Sequence, residues 1–314
     1  MIWHLPHIRA LAAAARSPVT LIAKPRSMAH ELLAADPAVR DIMWVDRNPG
    51  GGRGLHDGMA GFVRFVGSLR ARRFDAVVLL HQSVRLAAAT LLAGIPVRCG
   101  YGYGAQRWFL NRGPVMSRQM LQEHQFQRAT QWLQAAGIAM QEQEPRLTVT
   151  GAARQAVAMR MTAEQKPFVA IGIGASEPSR QWGTAGFVEL VRGLRAAGWN
   201  NLVLLGGPSE AAMAEEIQLA SGSTRLIAAI GWPLAEVAAL LADASFYVGN
   251  NTGVMNMAAA VGIPTYALFG TVPPFDHSRH IIAISSPKDP SAGDDGMKRI
   301  DPAGVLATIA ANQR

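Results

Sequence analysis

The stretch FYVGNNTGVMNMAAAVGIPTYALFG, residues 246–270, admits few folds. An apolar run breaks at Asn250-Asn251-Thr252-Gly253, resumes with helical spacing, and ends in a second apolar run after Pro264. Strand, polar turn, helix and strand in that order form a unit of a parallel sheet. The helix start leaves free backbone N–H groups beside side chains of little bulk, which suits an anion. Asn251, Thr252 and Gly253 occupy the turn, and Asn256 falls in the first helical turn. Upstream, LVLLGGPSE (202–210) repeats strand, glycine turn and helix start, with Gly207 in the turn and Glu210 where a ribose or sugar hydroxyl would be held. Two such turns point to a nucleotide-sugar site.

The same alternation runs through the chain. VTLIAK (19–24), DIMWVD (41–46), FDAVVLLH (74–81) and PVRCGY (96–101) read as strands, with helical spacing over 26–35, 58–73, 84–95 and 119–137. Periodicity lapses over 138–165, then strands at 168–174, 201–207, 225–230, 245–250 and 264–270 alternate with helices at 184–197, 209–220, 233–242 and 253–261. The expectation is an α/β protein of two doubly wound, Rossmann-like domains facing a central cleft, residues 1–152 and 153–314, with ligand at the carboxyl ends of the strands. GGGRG (50–54) reads as a loop rather than a phosphate cradle. Neither GIGASE (172–177) nor GYGYGA (100–105) completes the G-x-G-x-x-G fingerprint of nicotinamide enzymes.

Charge separates the halves. Residues 1–160 hold 20 Lys or Arg against 9 Asp or Glu, whereas residues 161–314 hold 10 against 13. A basic half attracts polyanions, or simply carries solvated arginines. The arginines match no nucleic-acid-binding motif, so nucleic acid is not expected as a partner. Cys99 is the single cysteine, which rules out an internal disulfide and points to a reducing, cytoplasmic compartment. No run approaches the roughly 20 apolar residues of a bilayer span, leaving peripheral contact as the expected mode at a membrane. In AQRWFLNRGPVMSR (105–118), Trp108 lies between Arg107 and Arg112, a pattern suited to an anionic headgroup or a phosphorylated glycolipid. Helix 61–73 carries an apolar stripe of Phe62, Phe65, Val66 and Leu69, read as packing on a sheet rather than lying on a bilayer.

GIGASEPSRQW (172–182), LLGGPSE (204–210), LAEVAALLADASFYVGNNTG (234–253) and MNMAAAVGIPTYALFG (255–270), in this order and spacing, resemble the ADP-heptose:lipopolysaccharide heptosyltransferases of glycosyltransferase family 9. FDAVVLLHQSVRLAAATLLAGIPVRCGY (74–101) is similar to that family's first domain. The resemblance implies the glycosyltransferase B (GT-B) fold and inverting, metal-independent transfer of a heptose from ADP-heptose to a lipopolysaccharide core sugar. It implies no cofactor, a nucleotide-sugar donor and an anionic glycolipid acceptor, the latter assigned here to Arg107, Trp108 and Arg112. It places the donor on Gly174, Ser176, Trp182, Gly207, Glu210, Trp232, Asn251, Thr252, Gly253 and Asn256, with Arg180 as the catalytic cation where the family has lysine. Arginine keeps the charge and adds a fork matched to phosphate. The family's G-N-D-T-G-x-x-H becomes GNNTGVMN, which exchanges an aspartate for Asn251 and a histidine for Asn256.

Several residues admit a plainer role. Trp182 fits a core position under helix 184–197, Trp232 an apolar staple at a helix start, Glu210 a helix-dipole partner, and Thr252 and Asn256 simple caps. Asp294 and Asp295 read as solvated. IWHLPHIRAL (2–11) resembles the segment that follows the family's first strand and Gly-Asp pair. The expectation is therefore a natural protein longer by about ten to fifteen residues, one strand and its turn, carrying the candidate base. Two other classes stay open: a nucleotide-sugar epimerase of related fold, and a catalytically silent nucleotide-sugar-binding protein.

Overall fold

The computed structural model describes residues 1–313 except 176, 224, 271–272, 275–276 and 288–295. Ser176, Asp294 and Asp295 thus lie outside the described residues. The chain forms two compact units, one of Met1 and Trp3–Gln143, the other of Ile2 and Glu144–Arg314.

The amino-terminal unit contains α1 (Leu5–Ala15), β1 (Val19–Ala23), α2 (Ala29–Leu33), β2 (Val39–Trp44), α3 (Gly58–Arg72), β3 (Ala76–Leu79), α4 (Val84–Leu92), β4 (Val97–Gly100) and α5 (Gln125–Ala135). Its strands make two separate parallel pairs, β1 with β2 and β3 with β4. No strand hydrogen-bonds between the pairs, so the core divides as well. Phe65 and Leu69 of α3 pack with Met43, Val45 and Ile95, while Tyr101, Met116, Trp132 and Leu133 form a second cluster. The stripe on α3 is therefore a packing stripe, as its spacing predicts. The glycine loop 50–54 is held by two carboxylates, Asp57 accepting from the Gly54 N–H at 2.7 Å and Asp46 from that of Leu55 at 2.8 Å. Those donors are spent within the loop. The helix expected from 119 starts only at Gln125, where His124 Nδ1 accepts from the Phe126 N–H at 3.3 Å and sets the start.

The carboxy-terminal unit runs α6 (Gly151–Ala158), β5 (Val169–Gly172), α7 (Thr184–Ala196), β6 (Leu202–Gly206), α8 (Ala211–Ser221), β7 (Leu226–Ile230), α9 (Leu234–Asp243), β8 (Phe246–Asn250), α10 (Gly253–Val261), β9 (Thr265–Phe269), β10 (Ile281–Ser285) and α11 (Pro302–Asn312). Its six strands are all parallel, in the order β10-β9-β8-β5-β6-β7. Every residue of β5, β8 and β9 is buried, as a parallel sheet covered by helices requires. Phe187, Leu190, Val191 and Leu194 recur at helical spacing on α7 and pack with Val305 and Ile309 of α11 over Val169, Ile171, Phe246 and Val248. Burying each such side chain contributes roughly 1.5–3 kcal/mol.

The unit begins at Glu144, ahead of the division expected after residue 152. Glu144 pairs with Arg279 at 2.8 Å and the Leu147 N–H donates to Ala260 O at 2.8 Å, which ties this segment to β10's approach and to α10. The unpatterned segment also hides α6, capped by Thr150 Oγ1 on the Ala153 N–H and packed along α9.

Candidate functional site

Strand order reverses at β5, which has β6 on one side and β8 on the other. In a doubly wound sheet the crevice at such a reversal, outside the carboxyl ends of the strands, takes the ligand. Here it is bordered by residues 173–182 after β5, 207–210 after β6, and 251–253 after β8.

The close passage of β5 and β8 depends on two glycines. The fully buried Tyr247 ring lies across Gly172, where a Cβ would collide with its hydroxyl, and a Cβ on Gly249 would meet the Gly172 backbone. The Tyr247 hydroxyl donates to Asn250 O at 3.3 Å, and burial raises its pKa well above that of a free phenol. It stays neutral as a structural donor.

Asn250, at the end of β8 and fully buried, joins the two turns. Its Nδ2 donates to Ile173 O and Gly174 O, both at 3.1 Å, and to Gln181 Oε1 at 3.0 Å, while its Oδ1 accepts from the Trp182 N–H at 3.3 Å. Gln181 Nε2 returns a bond to Ile173 O at 3.0 Å. The loop carrying Arg180 is thereby fastened to the strand that leads into α10. The sequence holds only one signal for this role, an asparagine where the apolar run of β8 stops.

α10 opens with unmet donors. Thr252 is the N-cap residue, its carbonyl accepts from the N–H and side chain of Asn256, and its side chain makes no capping bond. The N–H groups of Gly253, Val254 and Met255 have no acceptor among the described residues. A Cβ on Gly253 would meet nothing within 4 Å, so there is open space at the helix start. Asn251, at 4% exposure, makes no side-chain hydrogen bond among the described residues. Asn256 Oδ1 accepts from His277 Nε2 at 2.9 Å, an imidazole that the sequence reading did not connect with this turn.

The remaining candidates divide. Arg180 is one-third exposed and pairs with Glu177 at 3.4 Å. An exposed pair of this kind is worth at most about 1 kcal/mol, so a phosphate competes with it readily. Glu210 Oε2 accepts from the Gly207 N–H at 2.7 Å and its Oε1 from Ser209 at 2.8 Å. That bond satisfies the Gly207 donor, contrary to the expectation that it faces ligand, yet a carboxylate retains acceptor sites for a hydroxyl. Gly174 neighbours this carboxylate, since a Cβ there would lie 3.4 Å from Glu210 Oε2. Trp182 is a correction: its ring is buried edge-on to Phe187 at 5.1 Å and its indole N–H donates to Ile300 O at 2.9 Å. Its bulk fills the space left by Gly186, so the side chain serves the core and does not line the donor site. Trp232 is covered on one face by the Arg160 guanidinium, 4.6 Å from the ring centroid and itself paired with Glu236. In the amino-terminal unit Trp108 is 75% exposed with the Arg107 guanidinium 5.3 Å from its ring, and Arg112 is exposed nearby in sequence.

A parallel sheet with a helix start of unmet N–H donors at its strand reversal is an arrangement found in nucleotide-binding α/β proteins. The family model of glycosyltransferase family 9 (heptosyltransferase) matches residues 62–285. The chain belongs to that family and is a glycosyltransferase. Lipopolysaccharide heptosyltransferase 2 of Escherichia coli (strain K12) is 26% identical over 243 residues, 69% of this chain and 67% of the relative. Among solved structures, the family 9 glycosyl transferase of Veillonella parvula DSM 2008 superposes with a TM-score of 0.77 at 18% identity, over 99% of this chain and 92% of its own. The E. coli ADP-heptose lps heptosyltransferase II gives 0.75 at 22% identity, over 99% and 94%. These likenesses establish the two-domain GT-B fold. No helix among the described residues is long and apolar enough to cross a membrane.

Proposed function

We propose that this chain transfers a heptose from ADP-heptose to a lipopolysaccharide core sugar, with inversion and without a metal ion. The observation that carries the reading is the start of α10 at the strand reversal. The N–H groups of Gly253, Val254 and Met255 and the Asn251 side chain have no partner among the described residues. A diphosphate meets these donors at the helix start, and Arg180 leaves its weak pair with Glu177 to neutralise the leaving group. Charge that develops on departing ADP is then met by fixed groups that need no reorganisation. Glu210 accepts from a donor hydroxyl with its remaining lone pairs. Arg107, Trp108 and Arg112 engage the anionic acceptor, and the protein acts in the cytoplasm with peripheral contact to the inner membrane.

The names of the relatives and the family match support this reading over an epimerase. Incubation with ADP-heptose and an acyl-free lipopolysaccharide core acceptor, followed by chromatography of nucleotide and glycan, tests it. ADP release that requires the acceptor is expected. An epimerised sugar nucleotide formed without acceptor, or nucleotide binding with no turnover, refutes it.

A further inference from the structure

Thr252 caps α10 without using its side chain, so the orientation of that helix start depends on other groups. Asn256, one turn along, supplies them: its N–H and its Nδ2 both donate to Thr252 O, at 3.3 and 3.0 Å. The side-chain bond fixes which way the amide faces, because turned over it would set Oδ1 against the Thr252 carbonyl, acceptor against acceptor. Oδ1 is left to His277 Nε2, 2.9 Å away, and that contact is a hydrogen bond only when Nε2 carries the hydrogen. His277 is buried, and the chain that carries it is tied down. Ser278 Oγ donates to Glu144 Oε2 at 3.2 Å, the Arg279 N–H to the same oxygen at 3.0 Å, and the Ile281 N–H to Ser278 O at 3.2 Å where β10 begins. An anchored segment thus reaches, through one imidazole and one amide, the N-cap carbonyl of α10.

We infer that His277 is a positioning residue of the nucleotide-sugar site, acting through Asn256 on the first turn of α10. The inference rests on the reading that a diphosphate binds this helix start. The Thr252 carbonyl and the Gly253 N–H belong to one planar peptide unit, so the bonds on the oxygen set the direction of the donor on its other side. Gly253 has no side chain to resist rotation of that plane, and a Cβ there would meet nothing within 4 Å. The restraint has to come from the carbonyl side. His277 makes no demand on the ligand; it holds the amide that holds the peptide. Without it Asn256 Oδ1 loses its donor, the amide turns away, and the N–H groups of Gly253, Val254 and Met255 lose their common direction. Donors held in place before binding lose less freedom when the anion arrives. A histidine that only filled space would act independently of Asn256, whereas one that bonds to it forms a single unit with it.

A double-mutant cycle read by calorimetric titration with ADP tests the inference. His277→Ala is expected to lower ADP affinity about five- to tenfold, Asn256→Ala by at least as much, and the double variant by no more than Asn256→Ala alone. His277→Gln, whose Nε2 donates from nearly the same place, is expected to recover most of the affinity, and His277→Leu, which keeps bulk but has no donor, to recover none. With ADP-heptose and acceptor, His277→Ala is expected to lower kcat as well as raise KM, since the aligned N–H groups meet charge that grows as ADP leaves. Nitrogen NMR of the wild-type ring is expected to show Nε2 protonated, a readout that needs no variant to fold. The inference is overturned if His277→Ala or His277→Leu binds ADP as tightly as wild type, if glutamine does no better than leucine, if the single losses add in the double variant, or if Nε2 carries no hydrogen. Amide signals of Gly253, Val254 and Met255 that ignore ADP in the wild-type protein would defeat the diphosphate reading and the inference with it. A failure confined to the His277 variants leaves that reading standing.

Discussion

Replacing Asn250 probes the site at the point where its two turns are joined. Asn250→Ala removes the two N–H hydrogens shared among Ile173 O, Gly174 O and Gln181 Oε1 and leaves the buried Trp182 N–H without its acceptor. Ile173 O keeps its bond from Gln181 Nε2, so only part of the network is orphaned. One unmet buried donor costs about 1–3 kcal/mol and the bonds of the amide's two N–H hydrogens about 1 kcal/mol net each, which gives a loss of roughly 3–5 kcal/mol. Asn250→Asp is the sharper variant, because it conserves shape but turns an oxygen toward three acceptors, Ile173 O, Gly174 O and Gln181 Oε1. It is expected to be less stable than the alanine variant, since a buried carboxylate must be protonated or expelled. Urea denaturation followed by tryptophan fluorescence reads the stability, and calorimetric titration with ADP reads the loop. ADP affinity is expected to drop about tenfold in both as the Arg180 loop comes loose, equivalent to about 1.4 kcal/mol. Stability of Asn250→Ala within about 0.5 kcal/mol of wild type, the range of a neutral surface change, would refute the keystone role. So would an aspartate variant as stable as the native protein.

Other perturbations have equally definite outcomes. Arg180→Ala is expected to lower turnover about ten- to hundredfold, the worth of one charge-assisted contact, with Arg180→Lys intermediate; unchanged kinetics in a nucleotide-release assay would remove Arg180 from the mechanism. Gly172→Ala drives a methyl group into the Tyr247 hydroxyl and is expected to destabilise the carboxy-terminal unit by about 1–3 kcal/mol in denaturant titration; a native midpoint would show the strands less tightly set than described. His7 is fully buried against Thr130, and burial lowers its pKa from 6.5 to about 4. The unfolded chain therefore takes up this proton first. Stability falls by about 1.4 kcal/mol per pH unit as pH drops from 6.5 to about 4, a slope that His7→Gln is expected to make shallower in urea midpoints measured across that range.

What could be read from the sequence follows from how local each signal is. The strand, turn and helix of β8 and α10 stand out because β-branched and aromatic residues give way abruptly to four small polar ones, and both elements form as that pattern requires. Strand order cannot be read this way, yet it alone places the turns after β5 and β8 together. The joining role of Asn250 is hidden for the same reason: at a strand end it reads as one more turn residue, and its partners lie about 70 positions away. For Trp182 the sequence offers two readings, a donor contact from the motif around it and a core position under helix 184–197. Its indole finds Ile300, in a segment with no pattern linking it to residue 182. α6 is not legible in the sequence because Gly-Ala-Ala-Arg-Gln-Ala lacks a strong apolar face, and its position rests on Thr150 and on contact with α9.

The substitutions that set this chain apart from its family's motif acquire a physical sense in the structure. If the proposed diphosphate binds at this helix start, the amide at position 251 meets its oxygens without the repulsion a carboxylate there would bring. At position 256 the imidazole is gone from α10, but His277, in the connection between β9 and β10, supplies one from outside the helix and bonds Asn256 Oδ1 at 2.9 Å. Asn256 Nδ2 is at the same time held on Thr252 O at 3.0 Å, so both ends of its amide are committed. The first turn of α10 is therefore fixed in orientation before any ligand arrives. A preorganised set of donors loses less entropy on binding than a mobile one, and in transfer chemistry that rigidity is what lets fixed dipoles favour the charged leaving group over the neutral bond. The two asparagines and the displaced histidine thus keep what the helix start needs, donors held in place, while the charge balance around them shifts toward the anion.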